Sequence, residues 1–174
     1  MRQALATLAL LIATPAAAAD VHAAMALATP SGDGAAVGQI TASDGPAGVA
    51  FKLNLHGLPP GPHGFHVHQN ASCAPATGPD GRATPAGGAG PHLDPAKTGM
   101  HMGPEGAGHL GDLPRIDVAA DGTATATLSA PHIHSVADLK GHALMIHAGG
   151  DNYADQPAPL GGGGARIVCG VIAG

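Results

Sequence analysis

Residues 63–70 read HGFHVHQN, and the two closest histidines are separated by one valine. In an extended strand, side chains at i and i+2 share a face, so His66 and His68 can converge on one metal ion. The pair alone names no metal and leaves a purely structural reading open. Further candidates lie downstream: His92, His101 and His109, Asp112 three residues beyond His109, and His147 within MIHAGGD. Imidazole is the commonest metal-binding side chain, and the twelve histidines here outnumber the seven Lys and Arg together. One divalent ion cannot use seven such ligands, but two adjacent ions can if they share one. Four nitrogens would then suit copper, and three nitrogens with a carboxylate would suit zinc. Spacing leaves that partition open. A zinc-hydrolase pattern of the H-x-H-x-D kind would need Asp at position 70, where the chain has Asn70.

The elements that must carry these residues are short strands. HAAMALA, GAAVGQITA, GVAFKLNLH, GFHVHQ, RIDVAA, TATATLSA, HALMIHA and ARIVCGVI alternate or are rich in strand-compatible residues. Turn signals separate them at 33–34, 44–48, 58–64 and 121–122. RIDVAADGTATATLSA reads as a hairpin around Asp121-Gly122. Eight strands in one domain predict an all-β antiparallel sandwich or barrel. Residues 70–113 and 149–165 show no periodicity and are rich in Gly, Pro, His and Asp. Loops of that length are functional or disordered, and the ligand candidates within 92–112 predict a loop ordered by metal.

With 28 glycines, 16 prolines and three aromatic residues, the 174-residue chain is turn-rich rather than long-helical. Arg2, the apolar LATLALLIA and the small-residue TPAAAA give residues 1–19 the form of a secretory signal peptide, leaving 20–174 as the mature domain. Without Arg2 the balance is six basic against twelve acidic residues, which offers nothing to nucleic acid or an anionic membrane. Export to an oxidising compartment permits the only two cysteines left, Cys73 and Cys169, to pair.

GFHVHQNASC, PHLDPAKTGMHMGPEGAGHLGDLP and GHALMIHAGGDNYADQPAPLGGGGARIVCGVI resemble the exported bacterial copper/zinc superoxide dismutases. The resemblance covers essentially the whole mature chain and implies an eight-stranded Greek-key sandwich or barrel, immunoglobulin-like in architecture, with two long functional loops. It implies one copper and one zinc per chain, held by His66, His68, His92 and His147 for copper and His92, His101, His109 and Asp112 for zinc. His92 would bridge the two. Asp151 matches a carboxylate that orients ligands of both metals, Arg166 the cation beside the open copper position, and Cys73–Cys169 the family disulfide. The implied reaction is dismutation of superoxide to oxygen and hydrogen peroxide in the periplasm, by a monomer or homodimer. The alternative on the same fold is a non-catalytic copper-binding or copper-delivery protein. Such a protein can lose copper ligands or the arginine, and this chain keeps all of them.

One departure touches the bridge. Where the family has Gly-Gly before the bridging histidine, this chain has Gly90-Pro91, so Gly90 must absorb the restriction that proline imposes. His63 is expected to support the site by hydrogen bonds and His142 to be structural. His22, His56, His132 and His134 match no family ligand. Met100 and Met102, on either side of His101, are expected to serve packing.

Overall fold

Period-two burial makes the strands. Val21, Ala23 and Met25 are buried while His22 and Ala24 face out, and the same alternation runs through Val49, Phe51, Leu53 and Leu55. A computed structural model describes residues 19–78 and 81–173. The expected signal segment, apart from its last residue, lies outside the described residues. The strands are β1 (Val21–Thr29), β2 (Gly32–Ser43), β3 (Val49–Leu55), β4 (Gly61–His63), β5 (Phe65–His68), β6 (Ala76–Thr77), β7 (Ala83–Thr84), β8 (Ile116–Val118), β9 (Thr127–Ala130), β10 (Ala143–His147) and β11 (Arg166–Ala173). Eight of these fall on the eight segments expected from sequence. The other three, β4, β6 and β7, are two- or three-residue pieces in stretches that read as turn or loop.

Seven strands form one antiparallel sheet in the order β5-β10-β11-β1-β2-β3-β9, with β4 pairing β8 and β6 pairing β7 separately. Neighbours distant in sequence, β5 with β10 and β3 with β9, require the long connections of a Greek key. The sheet curls onto itself. Phe51 and Phe65 lie on strands near its opposite ends, yet their rings meet edge to face at 5.7 Å. They sit in a single core with Met25, Ile40, Leu55, Ile116, Leu144 and Ile146.

The expected hairpin over 115–130 does not form as such. Its turn is present, with the Gly122 N–H donating to Ala119 O at 2.9 Å. The flanking strands part after it: β8 pairs with β4, whereas β9 pairs with β3. Ile116 and Val118 are buried in the common core, and Ala124 bridges to Leu55, so long-range partners outcompete the local one.

β10 is buried along its whole length because both faces are covered. Leu144 and Ile146 point into the core. Ala143 and Met145 point outward beneath Ala86, Ala89 and Cys169, a second apolar cluster under the loop after β5. That loop is tied down by the Cys73–Cys169 disulfide, whose Cα atoms stand 5.7 Å apart across 96 residues of sequence. Closing a loop of this length stabilises a fold by at most about 4–5 kcal/mol in the chain-entropy model. Reduction, or Cys73→Ser with Cys169→Ser, is therefore expected to lower the denaturant midpoint markedly, up to that limit. An unchanged midpoint in equilibrium unfolding would show that the apolar cluster alone holds the loop.

Candidate metal centre

β5 places its histidines by register. Phe65 and Val67 face the core, so His66 and His68 face outward, directly opposite Met145 and Ala143 on β10. His147 ends β10 on the same outer face, after a shift in register that sets it opposite Arg166 of β11. The free edge of β5 is closed by two pieces of the long loop. Val67 N–H donates to Gly111 O and Leu93 N–H to Val67 O, both at 2.9 Å, and Gln69 N–H donates to Pro91 O at 3.0 Å. These bonds set His92 opposite His68 and Asp112 opposite His66. Pro91 is accommodated as expected: Gly90 takes φ 74° and ψ −160°, a region open to glycine, and the missing N–H of Pro91 is not called on by the edge pairing.

Two groups of buried ligand atoms result. His66, His68, His92 and His147 each offer a ring nitrogen within 4.8 Å of the others. Around Asp112 Oδ1 stand three Nδ1 atoms, of His101 at 2.9 Å, His92 at 3.0 Å and His109 at 3.3 Å. His109 is the only one of these side chains that is partly exposed. His66 also comes within reach of His92, His101 and Asp112. Its Nε2, however, is committed to Asp151, so it has one nitrogen left to give.

Hydrogen bonds fix which nitrogen keeps its lone pair. His68 donates through Nδ1 to Gly90 O (2.8 Å) and His147 through Nδ1 to Gly164 O (3.1 Å), leaving the two Nε2 atoms facing each other at 3.4 Å. His66 and His101 donate through Nε2 to the two oxygens of Asp151, each at 2.8 Å. His66 Nδ1 and His92 Nε2 are buried with no hydrogen-bond partner, and the buried Nδ1 of His101 faces Asp112 Oδ1 at 2.9 Å. Facing lone pairs and orphaned acceptors are costly in a dry interior unless a cation lies among them.

Electrostatics keep the rings ready. Burial, reinforced by neighbouring rings, lowers His68 to about 2 and His147 to about 3. Burial also lowers His66, and lowers His92 to about 4 against the pull of Asp112. These rings are neutral at physiological pH and can act as ligands. Burial works to lower His101 too, but bonding and charge from Asp112 and Asp151 outweigh it and push the ring up to about 9. A divalent cation at Nδ1 would supply the positive charge that this proton otherwise brings. Burial opposes ionisation of both carboxylates, yet the neighbouring imidazoles hold them well below the usual carboxylate range.

Residues 36–172 match the family model for copper/zinc superoxide dismutase (SODC). The chain belongs to the copper/zinc superoxide dismutase family. It is 53% identical over 171 residues to superoxide dismutase [Cu-Zn] of Escherichia coli, covering 98% of each chain. The Cu/Zn superoxide dismutase structure from Brucella abortus superposes with a TM-score of 0.87 at 52% identity, over 89% of this chain and all of that one. The monomeric copper, zinc superoxide dismutase from Salmonella enterica gives 0.80 at 52% identity, over the same shares. This chain is accordingly an oxidoreductase that dismutates superoxide using copper and zinc.

The donor set fits both ions of this dismutase family. Tetrahedral zinc with ligand distances of about 2.0–2.1 Å separates its ligand atoms by about 3.3 Å, close to the spacing around Asp112. Four imidazole nitrogens suit copper. Other contacts escaped the sequence reading. Asp155 accepts the His101 backbone N–H at 2.9 Å, and Asp112 Oδ2 accepts that of Met102 at 3.0 Å. The carbonyls of Gly90 and Gly164 orient the rings of His68 and His147, yet main-chain acceptors leave no mark in a side-chain motif. His63 behaves as expected of a support, its ring held between His147 O (2.7 Å) and Pro59 O (2.8 Å). His142 meets Gln69 O at 2.6 Å.

Asp151 acts on both groups at once, so Asp151→Asn is expected to weaken metal retention about 10–100-fold, the range for lost ligand-orienting partners. Gly161→Ala should do likewise, because its φ is 70° and an added Cβ would run into the Asp151 carboxylate. Competition against a chelator measures both, and retention equal to the unmodified protein would remove Asp151 from this role.

Proposed function

We propose that His66, His68, His92 and His147 hold the copper, that His92, His101, His109 and Asp112 hold the zinc, and that His92 is shared. The observation that carries this assignment is the accounting of lone pairs. Every copper-side ring but His92 has its other nitrogen occupied by a carbonyl or by Asp151. The three Nδ1 atoms on the zinc side crowd one carboxylate oxygen. His92 alone turns one nitrogen to each group, Nδ1 toward Asp112 and an orphaned Nε2 the other way.

Two superoxide anions and two protons give one oxygen and one hydrogen peroxide. Copper, held there, would supply the alternation between Cu(II) and Cu(I) that the two half-reactions need, and zinc, being redox-inert, would shape the site. The chain's own residues do the rest. Arg166 docks the anion. Its Nη1 and Nη2 donate to Ala86 O (2.7 Å) and Gly90 O (2.6 Å), which holds the guanidinium rigid and leaves its other N–H groups for a ligand. Arg166 pairs opposite His147 across β10 and β11, and its charge helps to keep His68 and His147 neutral, which supports a position beside the copper-side rings. Gly90 O also receives His68 Nδ1–H, so one carbonyl fixes the docking cation and a copper ligand together.

The mature protein, residues 20–174, is assigned to the periplasm as a monomer or homodimer, with superoxide as its partner and neither nucleic acid nor membrane. The form of residues 1–19, the acidic balance and the disulfide support this reading, as does the monomeric relative from Salmonella enterica.

Metal analysis of reconstituted protein is expected to find one copper and one zinc per chain, with superoxide decay far above a free-copper control. Substituting His68 should remove copper and spare zinc, and substituting His109 the reverse; the opposite pattern would overturn the partition. Arg166→Ala should lower kcat/KM by about tenfold or more and flatten its dependence on salt, as loss of a local guiding charge requires. Arg166→Lys keeps the charge but not the two-pronged anchor, and should fall between. Rates and salt dependence unchanged in both variants would exclude the docking role.

A further inference from the structure

Met100 and Met102, expected to serve packing, are covered only in part. They are 48% and 43% exposed, while His101 between them is 1% exposed. The alternation turns both thioethers toward solvent and the imidazole toward the metal centre. Their backbones are nevertheless held firmly. Met102 N–H donates to Asp112 Oδ2 at 3.0 Å, and Met100 O accepts His109 N–H at 2.9 Å. Gly106 and Gly108 lie so close that a Cβ on either would meet Met102, so the turn packs on the base of this residue and leaves its outer end uncovered. The other described methionines, Met25 and Met145, are buried at 1% and 0%. Two exposed, unbranched thioether side chains thus rise two residues apart from a fixed segment, with the Asp155 carboxylate bound to the His101 N–H between them.

We propose that Met100 and Met102 form a surface site for monovalent copper, separate from the two buried metal positions. Thioethers are soft ligands that select Cu(I) over zinc and over divalent copper. Methionine's three rotatable bonds let two sulfurs converge across the one-residue gap. Each sulfur contributes a lone pair, and no electron is transferred. The site rests on the family's use of copper, but it does not depend on how the buried histidines divide the two ions.

The test uses fully loaded, chemically reduced protein labelled with ¹³C at the methionine methyl groups and titrated anaerobically with Cu(I). The signals of Met100 and Met102 should move together and saturate at one added equivalent, with Met25 and Met145 unmoved. Met100→Leu with Met102→Leu should bind that equivalent at least tenfold more weakly while keeping the buried copper and zinc. Unperturbed Met25 and Met145 signals in this variant report an intact core. Methyl signals that stay in place in the unmodified protein, or uptake undiminished in the double variant, would overturn the proposal. In the second case the extra Cu(I) would sit elsewhere, such as at His132 and His134.

Discussion

An edge strand carries a row of backbone groups with no neighbour, and on β5 that row must be satisfied although the strand is buried. The long loop satisfies it. Residues 91–93 and 111–113 lie along β5 and exchange main-chain hydrogen bonds with it, including Leu113 N–H to Phe65 O at 3.3 Å. Convergence of the ligands follows from this backbone requirement. His92 and Asp112 arrive opposite His68 and His66 because their neighbours complete the ladder. The loop therefore has a reason to adopt its course that does not invoke metal, and the ions add to an arrangement already half determined.

The outer face of β5 and β10 then differs sharply from the inner one. Inside, Phe65, Val67, Leu144 and Ile146 make an ordinary dry core. Outside, three histidines from the same two strands lie beneath the disulfide-tethered loop and the 149–165 loop. Those two loops supply the carbonyls of Gly90 and Gly164 and the carboxylate of Asp151. Each contact settles the tautomer of a ring, so the position of a proton on one nitrogen decides where the other can bind. Arg166 is part of this wiring through Gly90 O.

Much of this was legible in the residues. Alternation gave eight strands, H-x-H gave a shared face, and an aperiodic stretch dense in histidine marked the loop that carries ligands. What escaped is what short sequence windows cannot hold. β4 was hidden because Gly61-Pro62-His63 reads as a turn, and only pairing with distant β8 makes it a strand. The 115–130 hairpin failed because its two strands have stronger partners elsewhere. Met100 and Met102 pack less than their apolar character suggests, because Gly106 and Gly108, the residues against them, carry no side chain to cover their outer ends. Asp155, one carboxylate among twelve acidic residues, carried no spacing that would have singled it out.

The clamping of the loop at 91–93 and 111–113 has a consequence for how this chain can change. The segment between is a closed circuit whose two ends are anchored independently of its contents. Insertions or deletions within 94–108 would leave His92 and Asp112 in place, held by their own rungs on β5, and would displace His101 first. Lineages descended from such a chain should accordingly drift in the length of this segment while keeping His92 and Asp112 opposite the histidines of β5. On the proposed partition, loss of function along that route would begin with the zinc.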